Sequence, residues 1–573
     1  MRNISDIADQ LFHTYSTETS SAITDNEHVS QLLDGLLTLA PHSSQRIGPD
    51  FHWGSDPLED ANWRFQFHCL VWLDRLRESS LKAESVEGIE LYERLLQSWV
   101  ADNPVDSPPS DYSWFDMAVG VRAIVLLKAV GHFGAEQWLI DAIRTHGEHL
   151  SDPDNYEGRG NHSLHQDMGL IAIGEFMERA DWIELSVDRI LAMLSTAVDD
   201  EGVSVEGSVD YQYRNYRWYE EAARRIKSAT GELPEVIGKA LENMPIFMAH
   251  ATSPSGRYAL LGDTLEHRAP ILPGTNTEWV RDAAFAPKPL TKLYKGGYLF
   301  ARSRWATWKE DPSVAYFTLR FGAGRSSAVH GHEDGGSITW DMHGEKLLCD
   351  SGLYAYEGGP YRLFFRGRES HNVVDVLGRK YYPSAENPLI CFQETRTHVL
   401  ATIQVKAIEG VEWHRTVLFS LEHGYILVDD RVRDTLMPAP ILQRWQLPRQ
   451  SVMTVNSNEG IVDVSTPMNN LLRFSSIGGR NSVRIAEGSE APISGWRSED
   501  YRMKFPTPEL SFVAQGDSVR FSTLIEVHDR PDREGFISIA DSKRTSKSLV
   551  VSLGGNNWQE RVELTSSGFN VTT

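Results

Sequence analysis

The residues best suited to chemistry are concentrated between His330 and Asn372. His330 and His332 open this stretch and His371 closes it, with acidic residues between them. Imidazole titrates near neutral pH and binds divalent metals, so these histidines are candidates for a general base and for metal ligands. We therefore expect an active site, a metal site or both in this part of the chain.

A hairpin within the same stretch is expected to carry a carboxylate to the histidines. Polar and apolar residues alternate on both sides of His343-Gly344, which predicts two strands joined by a two-residue turn. Such a turn pairs Met342 with Glu345. It also returns Asp350 towards His332.

Two imidazoles and one carboxylate, from His332, His371 and Asp350, match the nitrogen and oxygen ligands of a divalent metal. We expect zinc at this site, with manganese as the alternative. The competing interpretation is that His332 and His371 are hydrogen-bonded histidines packed between strands.

The first half of the chain holds two further groups of candidates. Asn161 and His162 follow a loop rich in helix breakers and begin an apolar-periodic helix, where Asn161 is also suited to cap the helix. Tyr211 belongs to a run of tyrosines whose spacing also fits one packed face of a helix.

Two kinds of secondary structure must position these residues. From about residue 28 to 250 the apolar residues recur with the helical period, and breaker-rich loops separate the helices. Later in the chain the period is two, with many β-branched and aromatic residues. The sequence predicts a multidomain α+β protein with an N-terminal helical (α/α) toroid or partial barrel, followed by a C-terminal antiparallel β-sandwich.

The boundary between the two domains is expected between Pro270 and Pro289, a segment broken by Pro and Gly and without a sustained period. We place the helical domain at residues 1–285 and the β-sandwich at residues 286–573. A chain of 573 residues is long enough for two separate cores.

Composition and charge argue against several classes of protein. The formal net charge of −23 opposes nucleic-acid binding, so an acidic ligand requires a local group of cations. Three widely spaced cysteines argue against a disulfide framework and against a Cys-rich zinc module. The sequence has no apolar stretch suited to a membrane span and no evident signal peptide. We expect a cytoplasmic protein, or an exported one if a leader has been removed.

Arginines near the candidate residues supply the cations that an acidic ligand requires. A guanidinium group binds carboxylates and sulfates in bidentate fashion, although a scatter of surface arginines is the alternative interpretation. The arginines in question are Arg122, Arg159, Arg214, Arg217, Arg362, Arg366 and Arg368.

Several motifs, in order along the chain, resemble those of the heparinase II/III family of polysaccharide lyases. The pattern His-x-His-x-Asp begins at His330, Asp-x-Gly-x-x-x-Tyr begins at Asp350, and an arginine-rich stretch ends at His371-Asn372. In the helical half, Asn161-His162 and a Glu-x-Ser-x-x-Tyr element ending at Tyr211 are similar to family elements. The family often has His after that Tyr, where this chain has Gln212.

The resemblance implies a role for each of these residues. It makes four residues catalytic, namely Asn161, His162, Tyr211 and His330, and three residues ligands of a structural metal, usually zinc, namely His332, Asp350 and His371. Weaker similarities suggest a substrate-binding helix with Trp114 and Arg122, and a Gly-Asp element at Leu261-Gly262-Asp263. The other candidates for substrate binding are Arg214, Arg217, Arg362 and Arg366.

The resemblance also implies a reaction, the β-elimination of uronic-acid-containing polysaccharides or oligosaccharides to give 4,5-unsaturated uronate ends. An amide such as that of Asn161 would stabilise charge developing on the uronate carboxylate. His330 or His162 would remove the C5 proton, and the Tyr211 phenol would protonate the leaving oxygen or act as the base itself. We expect a glycosaminoglycan substrate, such as heparan sulfate, hyaluronan or chondroitin, with alginate as the alternative.

The sequence leaves two other functions open. A glycoside hydrolase on the same architecture would need two facing carboxylates, for which Glu206 with Asp210 or Glu333 with Asp334 are available. Neither pair accounts for the His, Asn and Tyr residues. A polysaccharide-binding protein that has lost its activity is the second alternative, and the Gln212 departure favours it.

Overall fold

The computed structural model describes residues 24–47, 52–281, 289–323, 328–356, 358–479, 481–528, 536–546, 548–555 and 557–572. Contacts divide the chain into two compact units. The first contains Met1–Ala197 and Asn215–Leu241, and the second contains Val198–Arg214 and Glu242–Thr573. The boundary predicted between residues 285 and 286 lies outside the described residues and stays a prediction.

The first unit is helical, as the apolar period predicts. Its helices are α1 (Asp25–Leu33), α2 (Ala61–Cys69), α3 (Val71–Lys82), α4 (Val86–Asp102), α5 (Asp116–Phe133), α6 (Gln137–Ser151), α7 (Gly160–Met177) and α8 (Ala180–Ala197). Helices α9 (Val209–Thr230) and α10 (Glu235–Ala251) each run through both units. Among the described helices, none has both the length and the apolar character needed to cross a bilayer.

Two glycines bring helices α5 and α7 into backbone contact. A Cβ on Gly120 would lie 2.1 Å from the carbonyl oxygen of His165, and a Cβ on Gly169 would lie 2.6 Å from the carbonyl oxygen of Gly120. Larger residues at these positions would force the helices apart. This close approach positions helix α7, and Asn161 and His162 lie in the first turn of that helix.

The second unit is built from antiparallel strands. A five-stranded sheet contains β3 (Thr291–Tyr294), β4 (Tyr298–Arg302), β5 (Tyr316–Arg320), β6 (Ile338–Met342) and β7 (Glu345–Leu348) in chain order. An eight-stranded sheet has the order β14 (Val452–Asn456), β15 (Ile461–Ser465), β16 (Leu471–Ser476), β23 (Ser518–His528), β12 (Tyr425–Asp434), β11 (Val411–Ser420), β10 (His398–Val405) and β9 (Leu389–Glu394).

Smaller sheets complete the unit. A four-stranded sheet has the order β17 (Ser482–Ala486), β22 (Glu509–Gln515), β13 (Pro440–Gln446) and β8 (Val374–Val376), and another contains β24 (Ser538–Arg544), β25 (Ser548–Gly554), β26 (Gln559–Thr565) and β27 (Gly568–Thr572). The two-stranded pairs are β1 (Leu36–Leu37) with β2 (Gln45–Arg46), which belongs to the first unit, β18 (Ser489–Glu490) with β19 (Ile493–Ser494), and β20 (Trp496–Asp500) with β21 (Met503–Pro506). A short helix, α11 (Pro360–Arg366), follows β7.

The predicted hairpin around His343-Gly344 is confirmed. Met342 pairs with Glu345, and both turn residues have positive φ, at 52° for His343 and 75° for Gly344. A turn with two positive φ values matches the twist of the flanking strands, which explains its place between β6 and β7. The register then carries Asp350 back towards the start of β6, as expected.

The core of the second unit lies between its larger sheets. Buried apolar side chains from the five-stranded, eight-stranded and four-stranded sheets pack into one cluster, including Phe317, Trp340, Trp413, Phe419 and Trp445. Side chains from facing sheets fill a common interior in this way in a β-sandwich.

A buried ion pair joins the adjacent strands β11 and β12 of the eight-stranded sheet. Arg415 donates from Nε and Nη2 to the two carboxylate oxygens of Asp430 at 2.8 and 2.7 Å, and both side chains have no exposed surface. The third guanidinium nitrogen donates to the carbonyl oxygens of Gly336 and Asn372 at 2.8 and 2.5 Å. The pair therefore ties the eight-stranded sheet to the segment that carries His371.

Replacing Arg415 by Met should lower the free energy of unfolding by about 3–5 kcal/mol, because it leaves the Asp430 carboxylate buried without its cation. Urea unfolding followed by tryptophan fluorescence measures this loss. The control is Arg433→Met, which breaks an exposed pair with Glu412 whose side chains are 69% and 57% exposed. Exposed pairs contribute little, so Arg433→Met should unfold like the wild type, and an equal loss in both variants would contradict the role of the buried pair.

Candidate functional site

Three chain segments of the second unit meet at glycines to form the candidate active site. A Cβ on Gly262 would lie 2.1 Å from the carbonyl oxygen of Gly207, and a Cβ on Gly207 would lie 2.9 Å from the Cα of Gly331. Gly207 and Gly262 also have positive φ, at 79° and 61°. Only residues without a side chain fit this contact, which places the residues flanking each glycine close together.

Backbone hydrogen bonds fix the register of the three segments. The amide of His330 donates to the carbonyl oxygen of Glu206 at 2.9 Å, and the amide of Asp263 donates to the carbonyl oxygen of His330 at 2.9 Å. Arg366 of α11 adds side-chain hydrogen bonds to the carbonyl oxygens of Gly331 and Val329. These hydrogen bonds fix the main chain at His330 and thereby position its side chain.

The carboxylate of Asp263 lies at the centre of the site. It has no exposed surface and contacts three cationic or potentially cationic groups. His330 Nδ1 lies 3.0 Å from Oδ2, His332 Nε2 lies 3.0 Å from Oδ1, and Arg362 donates to Oδ1 and Oδ2 at 2.5 and 2.8 Å. Burial alone would raise the pKa of Asp263, but the hydrogen bonds from Arg362, His330 and His332 outweigh it and hold that pKa far below its ordinary value.

An ionised Asp263 sets the tautomers of both histidines. A carboxylate only accepts hydrogen bonds, so His330 donates from Nδ1 and His332 donates from Nε2. In the neutral imidazole the other ring nitrogen then carries the lone pair. His330 thus has a basic Nε2, which lies 3.7 Å from the Glu206 carboxylate, and His332 has a basic Nδ1.

Tyr211 stacks directly on His330. The ring centroids are 3.4 Å apart and the planes differ by 12°. The Tyr211 hydroxyl donates to the hydroxyl of Tyr356 at 3.3 Å, and the Arg214 guanidinium lies 5.6 Å from the Tyr211 ring centroid. Burial, reinforced by Tyr356, raises the pKa of the Tyr211 phenol well above its ordinary value, so the phenol is protonated at neutral pH.

The interpretation of the tyrosines as one packed helix face applies to only part of the run. Tyr216 and Tyr219 are buried, whereas Tyr211, in the first turn of α9, contacts His330 and Tyr356. Gln212 is buried, and its amide bonds the carbonyl oxygen of Gly202 at 2.6 Å and the amide of Ser204 at 2.8 Å. Gln212, which departs from the family pattern, thus fixes the loop before α9 through these two hydrogen bonds.

The three predicted metal ligands are gathered in one buried group. Ligand atoms of His332, Asp350 and His371 all lie within 4.8 Å of one another. His371 Nδ1 lies 2.9 Å from the Asp350 carboxylate, and burial lowers the pKa of His332. His332 Nδ1 and His371 Nε2 are buried and have no hydrogen-bond partner among the described residues. Two such nitrogens beside a carboxylate are the donor set that zinc or manganese accepts.

The first unit places Asn161 and His162 in the first turn of α7. Arg159 occupies the N-cap position and Asn161 is the second residue of the helix, so the capping interpretation is wrong. His162 Nδ1 lies 2.9 Å from the carboxylate of Asp116, the first residue of α5. The side chain of His162 remains 41% exposed, so its ring is oriented by a carboxylate and accessible to solvent.

The structure gives Arg122 a packing role that does not support its predicted role in substrate binding. The side chain is completely buried and donates to His146 Nε2 and to the carbonyl oxygens of His68 and Ser113. Burial lowers its pKa to about 9. All of these donors are used inside the core, so none is directed to a ligand. Trp114 is half-buried and donates to the carbonyl oxygen of Asn103.

The other predicted substrate-binding arginines differ in their surroundings. Arg362 is buried and its bidentate pair with Asp263 gives it a role in positioning the site. Arg366 holds the backbone next to His330. Arg217 is half-exposed and pairs with Glu220 at 2.8 Å, and Arg214 is half-buried beside Tyr211. Of the four, Arg214 stays a candidate for substrate binding, because it adjoins Tyr211.

Three residues that contact the predicted site residues had no role predicted from the sequence. Asp263 appeared only within a Gly-Asp element, Tyr356 only as the end of a motif, and Asp116 not at all. A sequence signal was present for two of them, since Asp263 follows Gly262 in a Gly-Asp element and Tyr356 ends the Asp-x-Gly-x-x-x-Tyr motif. Asp116 carries no local signal, because its partner His162 is 46 positions away.

Family descriptions match most of the chain. Heparinase II/III N-terminus matches residues 13–285, and Heparinase II/III-like, C-terminal matches residues 286–528. No curated protein sequence matches the chain significantly.

Solved structures share the fold over nearly their whole length. Heparinase III has a TM-score of 0.78 at 15% identity, covering 98% of this chain and 95% of that chain. Heparan sulfate lyase HepC from Pedobacter heparinus has a TM-score of 0.73 at 17% identity, covering 99% and 94%. Chondroitin AC lyase from Streptomyces coelicolor A3, in complex with chondroitin sulphate, has a TM-score of 0.62 at 9% identity, covering 99% and 89%.

These structures confirm the predicted fold, a helical toroid followed by an antiparallel β-sandwich. The two family descriptions together span residues 13–528, and the motif residues of the second of them are gathered around Asp263 and Asp350. The chain belongs to the heparinase II/III family of polysaccharide lyases.

Proposed function

We propose that this enzyme cleaves uronic-acid-containing polysaccharides or oligosaccharides by β-elimination, leaving a 4,5-unsaturated uronate. The observation that carries the proposal is the stacked pair of Tyr211 and His330 with the Asp263 carboxylate behind the imidazole. Elimination requires a base for the C5 proton and an acid for the departing C4 oxygen. An imidazole oriented by a carboxylate and a protonated phenol at one site suit these two roles.

His330 is proposed as the base. Its Nδ1–H is held by Asp263, which leaves the Nε2 lone pair to accept the C5 proton and favours the imidazolium that forms. The arrangement uses the same logic as other carboxylate–imidazole pairs, in which the carboxylate orients the ring and stabilises its positive charge.

Tyr211 is proposed as the acid. Its raised pKa keeps the phenol protonated before the reaction, so its proton is available to the glycosidic oxygen as the C4–O bond breaks. Tyr356, which accepts the hydrogen bond of Tyr211, orients the hydroxyl. The proton taken by His330 and the proton given by Tyr211 balance the elimination.

Asn161 is proposed to stabilise the uronate carboxylate as negative charge develops on it, with His162 as a second polar group beside it. An amide in the first turn of a helix acts together with the positive end of the helix dipole. The Asp116–His162 pair supports a fixed ring orientation for this group.

The hydrolase alternative is disfavoured by the surroundings of its carboxylates. Asp210 is buried and pairs with His267 at 3.1 Å, and Asp334 is buried with Arg320 Nε 3.5 Å away. A hydrolase needs one carboxylic acid that is protonated and one free carboxylate on opposite sides of the sugar. Ion-paired buried carboxylates suit neither role.

A glycosaminoglycan, such as heparan sulfate, hyaluronan or chondroitin, is proposed as the substrate, and alginate is the second candidate. Heparinase III and the chondroitin lyase share the fold, which supports an acidic glycan in general. The test is a set of uronic-acid polymers and their oligosaccharides, assayed for a product that absorbs in the near ultraviolet. Cleavage without such a product would identify a hydrolase, and binding without cleavage would identify the inactive alternative.

On the substrate found in this way, Tyr211→Phe and His330→Ala should each lower kcat at least ~10²-fold, the usual scale for losing a general acid or base. Initial rates of ultraviolet absorbance measure kcat and KM. The matched control is Tyr216→Phe, which removes the hydroxyl of a buried tyrosine on the same helix and should keep the wild-type kcat. Wild-type turnover by Tyr211→Phe would remove Tyr211 from the mechanism.

Asn161→Ala should lower kcat about 10²-fold or more, because its amide is needed most when charge develops on the carboxylate. The unfolding temperature should change little, since Asn161 does not cap α7. Kinetics and thermal unfolding are compared on the same preparation. A lower unfolding temperature with unchanged kcat would show a structural residue instead.

A structural metal, zinc or manganese, is proposed at His332, Asp350 and His371. Its support is that His332 Nδ1 and His371 Nε2 are buried and have no hydrogen-bond partner in the part of the chain that the structure describes. In each ring the other nitrogen faces a carboxylate, which leaves this nitrogen its lone pair. When bound, the ion would fix the ring of His332, and so the Asp263 carboxylate that orients His330. Elimination needs no metal-activated water, so we propose no step through the ion.

His371→Ala should lose the metal and lower the unfolding temperature together, because metal binding and folding are coupled. Elemental analysis of protein purified without chelator measures the metal, and calorimetry measures the unfolding. The control is His398→Ala, which removes another buried histidine, hydrogen-bonded to the Tyr425 hydroxyl at 3.1 Å. It should destabilise the protein without loss of metal. Wild-type protein without stoichiometric metal would contradict the site.

A further inference from the structure

The hairpin formed by β20 and β21 reaches Tyr356, the residue proposed to orient the Tyr211 hydroxyl. We call it the 496–506 hairpin. The ring of Tyr501, in its turn, lies 5.6 Å from the ring of Tyr356 with the planes tilted by 36°. Tyr356 in turn accepts the hydrogen bond of Tyr211 and is 44% exposed. An aromatic row therefore extends from His330 and Tyr211 through Tyr356 to Tyr501.

Backbone contacts fix the 496–506 hairpin on the segment that carries Tyr356. The Ser498 amide donates to the carbonyl oxygen of Ser351 at 2.9 Å, and the Arg502 amide donates to that of Tyr354 at 2.6 Å. The Ser498 hydroxyl donates to the carbonyl oxygen of Leu353 at 2.6 Å. A Cβ on Gly352 would lie 2.8 Å from the carbonyl oxygen of Ser498. The turn is thus positioned by main chain on both sides.

Arg502 occupies a backbone position that favours glycine or asparagine. Its φ is +58°, in the left-handed region, and its side chain is exposed. A residue with a long side chain is uncommon there, and such outliers cluster at ligand-binding sites. The hairpin therefore presents a guanidinium group at the end of the aromatic row, at some conformational cost.

The chemistry of these two side chains suits an acidic sugar. The flat ring of a tyrosine packs against the apolar face of a pyranose, and its hydroxyl remains available for hydrogen bonds. Guanidinium binds a carboxylate or a sulfate in bidentate geometry. A chain with a formal net charge of −23 needs such a local cation wherever a polyanion approaches.

We propose that Tyr501 and Arg502 form a substrate subsite next to the catalytic pair, in which Tyr501 packs against a sugar ring and Arg502 binds the carboxylate or sulfate of that sugar. The proposal rests on the proposed function, which supplies the class of substrate. It assigns the sugar contact to a hairpin that lies 145 residues beyond Tyr356 in sequence and outside every motif of the family resemblance.

Arg502→Gly separates this role from a structural one. Glycine relieves the left-handed φ, so the unfolding temperature should be equal to or above that of the wild type. Loss of a charge-assisted contact should raise KM about 10-fold and leave kcat within about 2-fold. Added NaCl should also raise KM less in the variant than in the wild type, because the variant lacks an ion pair that salt would weaken. Tyr501→Leu, which keeps an apolar side chain but no aromatic face, should raise KM as well.

The substrates are tetrasaccharides of hyaluronan, heparan sulfate and alginate, followed by ultraviolet absorbance. The matched control is Met503→Ala, which removes another exposed side chain of the same hairpin and should leave KM unchanged. A KM for Arg502→Gly within about 2-fold of the wild type would overturn the subsite, and so would a fall in kcat at constant KM.

Binding of the same tetrasaccharides to the Tyr211→Phe variant distinguishes failure of the subsite from failure of the proposed function. If the wild type binds them without eliminating, the proposed function fails, and the Kd of Tyr211→Phe with and without Arg502→Gly still decides on the subsite. If the wild type eliminates and Arg502→Gly changes neither KM nor Kd, the subsite alone is refuted. Absence of both binding and turnover refutes both.

Discussion

The carboxylate of Asp263 is the group on which the candidate site depends. It is buried, ionised and bonded to His330, His332 and Arg362 at once. Burying a carboxylate costs free energy unless hydrogen bonds and opposite charges compensate for the lost water. The three partners of Asp263 together provide this compensation. One oxygen faces the imidazole proposed as base and the other faces an imidazole of the metal group. The chemistry of the site and its structural support therefore share one anion.

Main-chain geometry makes that arrangement possible. Asp263 reaches both histidines only because Gly207, Gly262 and Gly331 allow three segments to cross at backbone contact distance. A side chain at the crossing would separate the segments by more than the length of a hydrogen bond. The centre is therefore closely packed, while Tyr356 and the turn of the 496–506 hairpin are more exposed. Close packing suits the proposed proton-transfer groups, and exposure suits the residues proposed to contact a sugar.

The parts of the molecule that follow local rules could be predicted from the sequence. Apolar periodicity distinguished the helices from the strands, and the His343-Gly344 turn fixed the pairing of Met342 with Glu345, which in turn placed Asp350 near His332. The roles of Arg122 and Arg362 were misjudged because burial depends on distant partners. Arg362 meets Asp263 across 99 positions, and His330 meets it across 67. Neither periodicity nor spacing encodes contacts of that range. The sequence alone therefore does not distinguish an arginine that binds substrate from one that pairs with a buried carboxylate.

Charge pairing explains how a strongly acidic protein can present a site to an acidic glycan. At physiological ionic strength the Debye length is about 8 Å, so most of the net charge of −23 is screened from a ligand at the site. What remains are the carboxylates within that distance, and two of those near Tyr211 and His330 have a cationic or imidazole partner: Asp263 has Arg362 and Asp210 has His267. The hydrogen bond that His267 donates to the Asp210 carboxylate raises the pKa of His267, which strengthens that pairing as the pH falls. With these two carboxylates paired, the site repels an acidic glycan less than the composition suggests, and exposed cations at its edge favour the approach of one.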